Sequence, residues 1–142
     1  MTDGPDEAHR RPPGLDGATV EALGKLSEAL EMVERVRGHL YSVHQLIGEA
    51  DFKLDDAVAL FERAGHPEFA RRIQHELIGR NVLPGRWTFQ VVEEFDDGYY
   101  TEFRELERDA RDEFAQGRRH VYEAELKELR RTRGRAGHEA LP

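Results

Sequence analysis

The chain has 142 residues, 38% of them hydrophobic and 35% charged, with a formal net charge of −8 and no cysteine. That length fits one domain with a thin core, and the lack of cysteine excludes disulfide scaffolds, thiolate zinc sites and cysteine nucleophiles. An acidic body repels a phosphate backbone, which argues against nucleic acid as a partner, and no run reaches the about 18 apolar residues of a membrane span.

Residues 1–18 are rich in Pro, Gly and charge, without periodicity, and read as a disordered N-terminal arm. They hold no apolar stretch of the kind a secretory signal needs, so a cytoplasmic protein without a membrane partner is expected. Thr19 is placed to cap a first long helix. Its apolar seam runs Ala22, Leu26, Ala29, Val33, Val36, Leu40, Val43, Ile47, then Ala50, Leu54, Ala57, Phe61 and Ala64. The steps alternate between four and three, which is coiled-coil spacing. An unbroken helix over 19–64 would measure about 69 Å, so a break near Gly48 stays open as an alternative.

Gly65-His66-Pro67 stops that helix and starts a short one over 67–80, with Phe69, Ile73 and Leu77 on one side. Asn81 and Pro84-Gly85 make a turn. A second long helix is predicted over 87–133, its seam reading Phe89, Val92, Asp96, Tyr99, Phe103, Leu106 and Ala110. A rotated stripe of Phe114, Val121, Leu126 and Leu129 follows, and residues 134–142 read as a frayed tail. The predicted fold is therefore all-α: a long helical hairpin with a short elbow helix, its helical domain spanning 19–133. Such a hairpin covers only part of each apolar stripe, so completion of a helical bundle as a homodimer is expected.

A polar stripe interrupts this pattern. Read every seven residues, one flank of the first helix goes Leu23, Leu30, Arg37, His44, Asp51, Val58. On the second helix, Asp96 breaks the seam, with Glu93 before it and Tyr99 after it. One reading is a metal site of His44, Asp51, Glu93 and Asp96, ligand types that suit Fe, Mn or Zn in a ferritin-like or redox bundle. His75 and Glu76 could add to it. The Glu-x-x-His spacing of a di-iron bundle is absent, however, and His120-x-x-Glu123 runs in reverse. The preferred reading is a polar core network of Arg37, His44, Asp51, Asp96 and Tyr99 that fixes register, with Arg37 on Asp96 and His44 on Asp51 or Tyr99.

The least generic segment joins the two long helices. Arg80, Arg86 and Trp87 at a loop-to-helix junction could hold an anion or a partner's carboxylate, while Trp87 and Phe89 could equally staple the elbow to the core. The run Asn81-Val82-x-x-Gly85-Arg86-Trp87-Thr88-Phe89-Gln90 resembles a stretch shared by uncharacterised small helical proteins of high-GC actinobacteria. The resemblance spans about Leu40 to Tyr100 and implies no activity, cofactor or site residue.

Catalysis has little support. Glu93-Glu94 and Asp96-Asp97 fit a solvated helix face, and the sequence has no Gly-x-Ser-x-Gly, phosphate loop or His-Glu-x-x-His. Residues 127–142 carry a net charge of +3 but alternate Arg with Glu, as a charged helix surface does. The expected function is thus a cytoplasmic protein-interaction or scaffold module with an unidentified protein partner, no catalytic residues and no cofactor. A His/carboxylate metal-binding bundle is the alternative.

Overall fold

The computed structural model describes residues 4–141. Among them the fold is all-α, with five α-helices and one π turn: α1 (Gly17–Arg63), α2 (Pro67–Glu76), α3 (Thr88–Phe95), the π turn (Asp96–Tyr100), α4 (Thr101–Ala115) and α5 (Val121–Arg130). The chain forms two compact units. The first combines the residues up to Val33 with those from Tyr100 onward; the second is Glu34–Tyr99.

α1 runs unbroken for 47 residues, and Gly48 causes no interruption. Gly48 costs the helix only the weak propensity penalty of a single interior glycine, which the long seam on either side outweighs. The cap is one turn earlier than the sequence suggested. Asp16, not Thr19, serves, its Oδ1 accepting from the Thr19 backbone N–H at 2.7 Å. At the other end Gly65 takes φ +87°. The His66 N–H returns to the Phe61 carbonyl at 2.8 Å and that of Gly65 to Glu62 at 3.1 Å, the bonding pattern of a glycine-terminated helix.

In the first unit, α4 returns antiparallel to the start of α1. Ser27 meets Glu107, while Leu15 and Val20 pack with Ala115 and Val121. Residues 4–16, expected to lack order, form turns here. Leu15 anchors them in the core, and Arg11 reaches Glu125 on α5. The expected helix over 87–133 is divided. α4 ends where Gln116 and Gly117 both adopt left-handed conformations, and α5 starts after a left-handed His120. Two adjacent positive-φ residues cannot continue a right-handed helix, so the chain folds back and sets Tyr122 against Gly24. The tail beyond 133 is tied in as well, the Thr132 N–H donating to His138 Nδ1 at 3.1 Å.

In the second unit, α3 runs antiparallel to the latter half of α1. α2 ends at Glu76, four residues short of expectation, and its fully buried residue is Ala70 rather than the half-exposed Phe69 or Leu77. Pro84 and Gly85, the latter at φ +71°, form a tight turn in which the Arg86 N–H donates to the Leu83 carbonyl at 3.0 Å. Proline first and a positive-φ glycine second is the sequence such a turn requires.

The π turn shifts the seam by one residue. Up to Asp96 the predicted seam residues Val92 and Asp96 turn inward, whereas Phe89 is 40% exposed. Beyond it, Tyr100 and Glu107 are buried, whereas Tyr99 and Leu106 are each 60% exposed. One extra residue in a helical turn rotates later side chains by about 100° relative to an unbroken α-helix, which puts Tyr100 in place of Tyr99 and Glu107 in place of Leu106, while Phe103 stays half-buried.

Candidate functional site

The polar stripe on α1 lies in the second unit, where it forms three separate attachments. Arg37 donates to both carboxylate oxygens of Asp96, from Nε at 2.7 Å and from Nη2 at 3.0 Å. His44 Nδ1 and Thr88 Oγ1 share a hydrogen bond of 2.7 Å. Asp51 Oδ1 accepts from the Gly79 backbone N–H at 3.0 Å. The α1 positions rise by seven, two helical turns each, while their partners descend from 96 to 88 to 79. Only an antiparallel return produces that pairing order, so the stripe fixes both direction and register.

Arg37 also sits over the Tyr41 ring, 5.3 Å from its centroid. A guanidinium held by a forked carboxylate on one side and an aromatic face on the other has little freedom left. Hydrogen bonding from Arg37 is the main influence on the Asp96 carboxyl and holds it below the ordinary aspartate value, against a smaller upward push from burial. Asp96 is therefore ionised at neutral pH, as a structural ion pair requires.

This arrangement does not gather a metal centre. His44, Asp51 and Asp96 each engage a different group, at three levels of α1, and Glu93 is exposed. Among the described residues, no three His, Asp or Glu side chains are grouped as metal ligands would be. His75 and Glu76 do not join them, since Glu76 instead pairs with Arg72 at 3.2 Å. His44 bonds neither Asp51 nor Tyr99, and Tyr99 faces outward with its ring against Phe95. Thr88 and Gly79 were missed as partners. A threonine at the first position of α3 gave a weak signal, but a backbone N–H leaves none in a sequence.

The elbow between α2 and α3 exposes two adjacent aromatic side chains in the second unit. Trp87 is 57% exposed and packs edge-on against Phe89, with ring centroids 5.3 Å apart, rather than entering the core. The Trp87 N–H donates to Gln90 Oε1 at 2.9 Å, which fixes the start of α3. Arg86 is bound to Glu94 at 2.7 Å, so its charge is already matched, while Arg80 is exposed nearby. Leu77 and Leu83 are exposed on the same connection.

Two arginines near the C-terminal end, Arg131 and Arg133, are also matched. Glu128 receives Arg131 at 2.6 Å and Arg133 at 3.0 Å, and these contacts, Arg131 first, lower its pKa. Paired in this way, they present less free positive charge to a phosphate backbone than the count of arginines suggests. No helix among the described residues is long and apolar enough to cross a membrane. No protein-family model matches this chain, and neither a curated protein nor a solved structure is detectably similar to it.

Proposed function

We propose that this chain is a cytoplasmic interaction or scaffold module that works as a homodimeric helical bundle and offers its Arg80–Trp87 elbow to a second protein. The observation that carries this reading is the mismatch between buried and exposed apolar residues in the second unit. Its buried apolar side chains among the described residues are Ala70 and Val92, both small. Val36, Val43, Leu46, Phe52, Leu60, Leu83 and Trp87 are exposed in the same unit. Single exposed apolar residues are ordinary, but so many in a unit with so little buried support a surface meant for another protein. Aromatic and arginine side chains at the elbow are the types that dominate binding energy at interfaces.

Sedimentation velocity of the full chain at tens of micromolar tests this. The reading predicts a species of twice 16.4 kDa. A monomer throughout that range would contradict it, because specific dimers persist at such concentrations.

A further inference from the structure

We propose that α1 docks antiparallel on α1 of a second copy of this chain, through the face that carries Val36, His39, Val43, Leu46 and Ala50. This inference rests on the dimer reading above and adds the face and the direction.

α1 has two working faces in the second unit. One bears Arg37, His44 and Asp51 and is attached to α3 and the elbow. The other lies about 100° around the helix, given 3.6 residues per turn. Its residues recur in steps of three and four, and all five are exposed, Leu46 to 61%. Two contact faces separated by about a quarter turn are what a helix needs to meet two neighbours in a four-helix bundle. The first neighbour is supplied by the chain itself. A two-fold pairing of α1 helices would supply the second and bring four helices together, α1 and α3 from each copy.

Charge selects the direction. In a parallel, in-register pair every residue meets its own copy. Lys53, one further step along the same face, would then face Lys53 of the second copy, and His39 would face His39. The two Lys53 ammonium groups, like charges at facing positions, oppose that arrangement. With the helices antiparallel about a two-fold axis near Tyr41, Val36 lies opposite Leu46 of the second copy and His39 opposite Val43. Arg35, exposed on the rim of this face, then falls beside the equally exposed Glu49 of the second copy. Symmetry makes that ion pair twice. Met32 and Ala50 follow the same complementary order, large against small. The exposed Leu126 and Leu129 on α5 offer a shorter stripe, confined to a ten-residue helix.

The test is sedimentation velocity on the full chain and four variants: Leu46→Glu, Arg35→Glu, Glu49→Arg, and the double exchange R35E/E49R. Circular dichroism verifies that each remains helical, and the charge variants stay informative if Leu46→Glu unfolds. The proposal predicts that Leu46→Glu weakens dimerisation at least tenfold. Each single charge reversal weakens it several-fold, and the double exchange restores it. A wild-type dimer indifferent to Leu46→Glu and to both reversals would overturn the face while leaving the dimer reading intact. Weakened single variants with no recovery in the double would overturn the antiparallel direction. A monomeric wild type would overturn both readings.

Discussion

Arg37 holds both carboxylate oxygens of Asp96 at the residue where α3 gives way to a π turn. The pair therefore ties the end of α3 to α1 within the second unit. About a third of the Arg37 side chain and a quarter of that of Asp96 remain exposed, so its strength is that of a partly screened, bidentate pair.

A double-mutant cycle measures that strength. Arg37→Ala and Asp96→Ala should each cost about 1–2 kcal/mol, with a coupling of roughly 1 kcal/mol between them, as read from urea unfolding. The expected order of damage places these above substitutions of the exposed pairs, such as Arg72 with Glu76.

Acid should weaken the fold through the same carboxylate. Its folded-state pKa lies below the ordinary value, chiefly through the Arg37 hydrogen bonds. A carboxyl depressed in the folded state contributes stability above its unfolded value, about 3.9, and loses it as pH falls through the folded one. Asp96→Asn should therefore be less stable than wild type at pH 7, and the gap should narrow below about pH 4. Thermal melts across pH 7 to 2.5 follow this convergence; a constant gap would mean that Asp96 does not titrate with folding.

Two glycines of α1 should respond oppositely to alanine. A Cβ on Gly24 would stand 2.6 Å from Tyr122 Cγ, whereas one on Gly48 meets nothing within 4 Å. Gly24→Ala should cost about 1–3 kcal/mol by forcing α5 away. Gly48→Ala should stabilise by about 0.5–1 kcal/mol, since alanine is the better helix residue. Melting temperatures of the two variants check both signs.

The same local rules explain what a sequence discloses here. The helical class, the Gly65–Pro67 break and the Pro84-Gly85 turn depend on neighbours in the chain, and the residues state them. The Arg37–Asp96 pair was legible because two charges interrupted two apolar seams. The π turn was not, because the apolar pattern through Asp96–Tyr100 fits an α-helix until packing exposes Tyr99 in favour of Tyr100. The end of α4 was hidden for a similar reason. Gln116 and His120 take left-handed conformations that neither residue type announces, and only Gly117 gave a hint. Leu15 was lost inside a Pro- and Gly-rich arm, although one apolar anchor suffices to order such a segment.

The central claim is that a second copy completes the core this chain leaves open, and the most direct test is urea unfolding at protein concentrations from about 1 to 100 µM. A fold completed by dimerisation gains stability by mass action, so the unfolding midpoint should rise steadily with concentration. A midpoint that stays fixed over that hundredfold range would show that the single chain carries its full stability alone and would contradict the account.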